Sequence, residues 1–186
     1  MSIATKRGDG GETDLLYGKR VPKTDLRVRA NSKIDEFNAR LGVARALLKL
    51  SSPETAQWIE RTQHQLFALM GEIAVHPDDF DRHASSNMPQ LQPSFLDEIE
   101  NRLQQRESLL GPMTEWSVPG ENQVSAAIHV ARTTGREAEL AVIELKETSL
   151  LNPTKGPLII KILNRLSDML WIEAKLAEKS SEIQQG

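Results

Sequence analysis

Apolar residues fall at intervals of three and four in five successive stretches, and proline or glycine breaks the chain between them. Ile34, Phe37, Leu41, Ala44 and Leu48 form the first stripe, and Ile59, Thr62, Leu66, Leu69 and Ile73 the second. A shorter third holds Leu96, Ile99 and Leu103. The fourth carries Val124, Ile128, Ala131, Ala138, Val142 and Leu145, and the fifth Ile159, Leu163, Leu166, Leu170 and Ala174. This period puts each set on one side of a helix, and a helix with one apolar side must bury it against others. The breaks are Ser51-Ser52-Pro53-Glu54, the polar stretch from His76 to Pro93, Gly111-Pro112, Pro119-Gly120, and Asn152-Pro153 with Gly156-Pro157. Pro53 suits the first turn of a new helix. No internal repeat and no convincing strand is visible. The expected fold is all-α: a five-helix up-and-down bundle over residues 26–180, preceded by an irregular arm (1–25) and followed by a tail (181–186).

Composition narrows the function classes. The 186 residues include 23 Lys+Arg and 26 Asp+Glu, a net charge of −3, which argues against the strongly basic footprint of general nucleic-acid binding. No apolar run approaches the roughly 20 residues that span a bilayer, and the start, MSIATKRGDGGETD, lacks the apolar stretch of a signal peptide. Without cysteine there is no disulfide framework, thiolate zinc site or cysteine nucleophile. A soluble, cytoplasmic domain is expected.

Four of the eleven glycines, Gly8, Gly10, Gly11 and Gly18, lie in the first 25 residues among Lys6, Arg7, Lys19, Arg20 and Lys23. Glycines let backbone N–H groups converge and the flanking cations add charge, a combination suited to polyphosphate. GxxxxGK[ST] is absent, so this is not a Walker A loop; a loose terminal arm is the plainer alternative. The fourth helix carries His129, Arg132, Arg136 and Glu139 at offsets of 3, 4 and 3, which stacks them on one face. Two arginines in adjacent turns could clamp phosphate with planar forks; the alternative is a solvated face with an Arg136–Glu139 pair. Asp35 interrupts the apolar face of the first helix, next to Ile34, and a carboxylate there needs a partner: Arg132 is the candidate, or locally Lys33 or Arg40. Asn164, Ser167, Asp168 and Trp171 make a further stripe on the last helix. Trp116 is either a core anchor or an aromatic wall against a flat ligand.

Five blocks, in order and spanning most of the chain, resemble the PduO-type ATP:corrinoid adenosyltransferases: Thr5–Lys23 (TKRGDGGETDLLYGKRVPK), Lys33–Gly42 (KIDEFNARLG), Gln63–Ala74 (QHQLFALMGEIA), Val118–Glu139 (VPGENQVSAAIHVARTTGREAE) and Leu163–Trp171 (LNRLSDMLW). The resemblance implies a ferritin-like five-helix bundle, a homotrimer with active sites between subunits, and transfer of the 5′-deoxyadenosyl group of ATP to cob(I)alamin with release of triphosphate. ATP with Mg²⁺ and cobalamin would be bound as substrates, and no resident metal is expected.

The residues implied are specific. Thr5, Lys6, Arg7, Gly8, Thr13, Asp14 and Lys23 would contact the phosphates. Arg136 would clamp the leaving group, with Glu137 and Glu139 beside it, Glu139 acting through Mg²⁺ or its waters. Asn164 would contact ATP. Asp35 and Arg132 would form an acid–arginine pair that bridges subunits and shapes the catalytic site. Two motifs depart from the family pattern. RRAER reads Arg136-Glu137-Ala138-Glu139-Leu140, and FxLPGGS reads Trp116-Ser117-Val118-Pro119-Gly120-Glu121-Asn122. Trp116 keeps an aromatic where the family sets one against the corrin. The alternative these departures leave is an ATP- or corrinoid-binding sensor or delivery protein without efficient turnover; a purely structural helical module is a third reading.

Overall fold

A computed structural model of the chain describes Ala4 and residues 6–112 and 118–185, except for the side chains of residues 181–185. Thr5 and Trp116 therefore lie outside the described residues.

Five long helices form where the stripes place them: α1 (Leu26–Ser51), α2 (Pro53–Ile73), α4 (Pro93–Leu110), α5 (Gln123–Glu147) and α6 (Gly156–Gln185). Each boundary has a local cause. Asp25 caps α1 by accepting from the Arg27 backbone N–H at 2.9 Å, while the Arg27 guanidinium folds back onto the same carboxylate. Those bonds hold the Asp25 carboxyl below its ordinary range. Pro53 opens α2 immediately after Ser52 closes α1. Asn122 and Ser125 cap each other reciprocally at the start of α5, and Gly111, at φ 75°, ends α4.

Two stretches differ from the sequence expectation. The arm is not irregular throughout: β1 (Glu12–Asp14) and β2 (Arg20–Pro22) pair antiparallel, with Thr13 opposite Val21. Three-residue strands are too short to show alternation, so composition alone reads them as loop. The polar stretch after His76 also contains a 3₁₀ turn (Pro77–Asp79) and a single short helix, α3 (Phe80–Ala84). At the far end, α6 runs on to Gln185, into the stretch read as a tail.

α1 packs against α2 and α5, and α6 against α5 and α4. The stripes meet in one core that includes Ile34, Phe37, Leu41, Ile59, Leu66, Ile128, Val142, Leu163 and Leu170. α1 and α5 run antiparallel, with Arg29 paired to Glu144 at 3.5 Å and Phe37 facing Gly135 further along. Here glycine has a steric purpose. A Cβ at residue 135 would stand 3.0 Å from the Phe37 ring, whose residue is fully buried. No helix is long and apolar enough to cross a membrane, among the described residues.

Gly135→Ala is expected to lower stability by about 1–2 kcal/mol, since overpacking of ~1–3 kcal/mol outweighs the gain of up to ~1 kcal/mol in helix propensity. Urea unfolding of Gly135→Ala, Phe37→Leu and the double variant checks the origin of the loss. A steric cause requires the double variant to be more stable than the sum of the two single losses.

Candidate active site

The hairpin gathers the cationic residues of the arm. A turn closed by Asp9 N–H to Lys6 O and Gly11 N–H to Gly8 O, both 3.2 Å, leads into β1, and the Lys23 N–H donates to Gly11 O at 2.8 Å beyond β2. Lys6 and Gly11 both take positive φ, 59° and 80°. The Lys23 ammonium lies over Gly8 so closely that a Cβ there would be 3.0 Å from Nζ. Asp14 receives Arg7 at 2.9 Å and Arg20 at 3.3 Å, and Arg20 also donates to the Arg7 carbonyl at 3.1 Å. Thus Lys6, Arg7, Gly8, Thr13, Asp14 and Lys23 share one small exposed structure, with Asp14 organising the arginines.

On α5, Ala131, Gly135 and Ala138 are buried, and Arg132, Arg136 and Glu139 follow each of them by one residue. The polar stripe emerges at the edge of the helix contact rather than on its far side. Arg132 Nε donates to His129 Nδ1 at 3.3 Å. Burial, and then the positive charge of Arg136, lower the pKa of the Arg132 guanidinium. Among the described residues neither arginine has a carboxylate within 4.0 Å, so the Arg136–Glu139 pair of the solvated-face alternative is not formed. Arg136 and Glu137 are exposed and Glu139 is half-buried. Two neighbouring cations with no carboxylate beside them among the described residues are suited to an anion.

Asp35 corrects an expectation. It does not interrupt the buried face: Ile34 is fully buried, but Asp35 lies a third of a turn round and is exposed. Within the chain it pairs with neither Arg132, Lys33 nor Arg40; the last two turn to Glu36, at 3.5 and 4.0 Å. Asn164 is exposed on α6 and accepts from Arg165 at 2.9 Å. It lies eight residues into α6, and Glu139 eight residues before the end of α5, so the antiparallel pair sets them level.

The hairpin and the α5 arginines do not meet within the chain. The hairpin joins the bundle where α1 begins and α2 ends, with the Leu16 N–H donating to Ala74 O at 3.0 Å. Phe37, level with Gly135, lies eleven residues into α1, roughly 16 Å further along at 1.5 Å per residue. Between α4 and α6 an open cleft of about 370 Å³ is lined by Leu103, Leu110, Gly111, Trp171 and Ile172 together with the carboxylates Glu107 and Asp168. Trp171 stands out in the sequence only as one member of a mixed stripe; its packing beside this cleft depends on α4, which no local spacing reveals.

Comparison with known proteins decides the family. The model of the cobalamin adenosyltransferase family matches residues 3–177. The chain belongs to that family. A corrinoid adenosyltransferase of Citrobacter freundii is 31% identical over 97% of this chain and 97% of its own length. The corrinoid adenosyltransferase PduO of the same organism is 32% identical over 94% of this chain, which spans 49% of that longer relative. Among solved structures, a variant PduO-type ATP:corrinoid adenosyltransferase from Lactobacillus reuteri, complexed with cobalamin and ATP, superposes with a TM-score of 0.85. It is 29% identical, with 97% of this chain and 96% of that one covered. In this member of the cobalamin adenosyltransferase family, the five-helix expectation holds.

His129 supplies a check on the α5 geometry. It is buried, with Nε2 3.5 Å from Glu178 Oε1, and Glu178 also pairs with Lys175. Burial, followed by the charge of Arg132, lowers the imidazole pKa. The folded protein thus binds this proton more weakly than the unfolded chain does. The resulting stability is complete above the unfolded pKa of about 6.5 and declines as the pH falls through it. His129→Gln is expected to lose less stability than the wild type between pH 7.5 and 5.5, measured by urea unfolding at both. Equal losses would contradict the assignment.

Proposed function

We propose that this chain transfers the 5′-deoxyadenosyl group of ATP to the cobalt of cob(I)alamin, giving adenosylcobalamin and triphosphate. The observation that carries the reading is Arg136 on α5, an exposed cation one turn from Arg132 and with no carboxylate within 4.0 Å among the described residues. Family membership supplies the reaction. Cobalt(I) brings its own electron pair to C5′; the Co–C bond forms as the C5′–O bond breaks, and triphosphate departs. The protein needs no nucleophile of its own. It must align the two centres and stabilise the charge growing on the departing oxygen.

The residues divide accordingly. Thr5, Lys6, Arg7, Gly8, Thr13, Asp14 and Lys23 hold the triphosphate, Arg7 exchanging part of its contact with Asp14 for phosphate oxygen. Arg136 clamps the leaving group, with Glu137 at its edge, and Asn164 contacts the nucleotide. The cleft lined by Trp171 and Ile172, whose Gly111 stands five residues before Trp116, suits a face of the corrin. Mg²⁺ commonly binds through phosphate oxygens, waters and one or two carboxylates. Half-buried Glu139, one turn from Arg136 and outside any ion pair among the described residues, fits the protein's share of such a site. When bound, the ion neutralises phosphate charge.

The separation of hairpin and arginines is met by assembly. We read the protein as a homotrimer in which the hairpin of one copy faces α5 of another, with Asp35 paired to Arg132 across the boundary. Neither Asp35 nor Arg132 has an opposite charge within 4.0 Å among the described residues, which supports the pairing. A cytoplasmic location, where ATP is at hand, belongs with this reading. Glu137 and Leu140, in place of two family arginines and both exposed, favour the second reading of a sensor or delivery protein.

Incubation with Mg-ATP and chemically reduced cob(I)alamin, followed by the absorbance of adenosylcobalamin, separates the two; nucleotide binding without product would leave only the sensor. Arg136→Lys keeps the charge but loses the planar fork, and Arg136→Ala loses both. Removal of one such donor costs ~3–4 kcal/mol. The expected fall in kcat is therefore roughly a hundred- to thousandfold for Arg136→Ala and smaller, though large, for Arg136→Lys, with assembly intact. Near-normal turnover by folded Arg136→Ala would sink the clamp.

Asp35→Asn should lower activity and weaken assembly while leaving the helical content of the subunit unchanged. Sedimentation and circular dichroism on the same sample test this. An active monomeric wild type would exclude the shared site.

A further inference from the structure

The hairpin is fastened to the bundle by a polar chain, buried at its centre, that the reaction itself does not use. Tyr17 sits in the 3₁₀ turn between β1 and β2, with φ 67°, followed by Gly18 at φ 82°. Its hydroxyl is 3.0 Å from His83 Nδ1 on α3, and the Arg82 guanidinium covers its ring at 4.2 Å. His83 is 4% exposed, and its Nε2 faces the carboxylate of Glu72 on α2 at 3.5 Å. A proton on Nε2, toward that carboxylate, leaves Nδ1 to accept from the Tyr17 hydroxyl. Glu72, 2% exposed, also accepts from the Leu91 N–H at 3.1 Å and faces Lys155 Nζ at 3.4 Å. Lys155 in turn donates to Leu91 O at 2.8 Å.

This chain links four segments that are remote in sequence: the hairpin turn, the end of α2, α3 and the entry to α6. A two-stranded hairpin has little stability alone, so its orientation depends on what holds it. The holding points lie at its closed end: Leu15 and Val21 are buried, the Leu16 N–H reaches Ala74 O, Lys19 pairs with Asp78, and Tyr17 enters the polar chain. Lys6, Arg7, Gly8 and Lys23 lie at the open end, exposed apart from half-buried Gly8. A small rotation at the anchor is therefore carried to the groups assigned to phosphate. A tyrosine held at positive φ marks a position that its surroundings, rather than its own preference, determine.

We propose that Tyr17 and His83 are positioning residues for nucleotide binding, and that the Tyr17–His83–Glu72–Lys155 chain sets the orientation in which the hairpin meets ATP. The inference rests on the assignment of the hairpin to the triphosphate. Neither side chain touches substrate. Their loss is felt as affinity for ATP, because the hairpin must be ordered at the moment of binding, whereas Arg136, on another element, retains its effect on turnover.

The test compares the full-length protein with Tyr17→Phe, which deletes one hydroxyl, and with Lys23→Ala, which removes a proposed phosphate contact. Tyr17→Phe is expected to raise KM and the calorimetric Kd for Mg-ATP about three- to tenfold, the worth of one hydrogen bond. The kcat at saturating ATP should remain within about twofold of wild type, and amide exchange over residues 6–23 should quicken without nucleotide. Lys23→Ala should weaken ATP binding with normal exchange at the hairpin turn. Weakened binding in Lys23→Ala alongside unchanged KM and exchange in Tyr17→Phe overturns the positioning role alone. A fall in kcat with KM unchanged, as a merely less stable Tyr17→Phe protein gives, overturns it too. Unchanged ATP binding in Lys23→Ala removes the hairpin's phosphate assignment, and this inference with it.

Discussion

The close seating of α5 on α1 is the constraint from which the site follows. Ala131, Gly135 and Ala138 form a shallow strip, and at Gly135 the fully buried Phe37 ring comes so near that only a missing side chain leaves room. Such contact fixes the rotation of α5 about its own axis, because a turn in either direction would drive a longer side chain into α1. Arg132, Arg136 and Glu139 each follow a member of that strip by one residue. Their direction is thereby set by packing rather than by hydrogen bonds among themselves.

Rotation alone would not create a binding site if the guanidinium groups were neutralised at home. Arg132 is instead held by the neutral Nδ1 of His129, an acceptor that orients without cancelling charge. Burial and the neighbouring Arg136 both work against its positive charge. Among the described residues no carboxylate answers the Arg132 charge, and the proposed Asp35 contact across the subunit boundary would answer it while Arg136 stays open to phosphate. Glu137 does not undo this. Next to Arg136 in sequence, it points about 100° round the helix, is exposed, and forms no ion pair among the described residues.

The bundle was legible because burial in helices repeats locally: Ile59, Thr62, Leu66, Leu69 and Ile73 can be read without knowing what they touch, and all five are buried. The α5 stripe was legible for the same reason. Spacing misplaces Asp35, because adjacency to Ile34 in sequence is not adjacency on a helix face. The hairpin escaped notice because its strands are shorter than one cycle of any readable alternation, and its order comes from Leu15, Tyr17 and Val21 meeting the bundle. Tyr17, Glu72, His83 and Lys155 carry no mutual spacing at all; only the fold brings them into one chain of contacts. Local periodicity thus reveals the scaffold and the residues mounted on it, while the fastening of the arm depends on contacts between distant segments.

The exposed face of α1 explains why such a scaffold would require a second copy. From Asp35 the helix presents Ala39, Val43, Ala46 and Leu50 at offsets of 4, 4, 3 and 4, and all are exposed, Leu50 almost completely at 97%. A single exposed leucine is ordinary, but a row of small and apolar residues beside a carboxylate with no cation partner among the described residues is suited to a partner surface. Under the proposed assembly, apolar burial along this row would supply the affinity and the Asp35–Arg132 pair the register. A charge pair gains most where its desolvation has already been met by the packing around it. The same docking would carry one copy's hairpin across the distance that separates it from the arginines of its own chain. Assembly and the completion of the phosphate site would then be one event, and a subunit by itself would hold two halves of a site facing different ways.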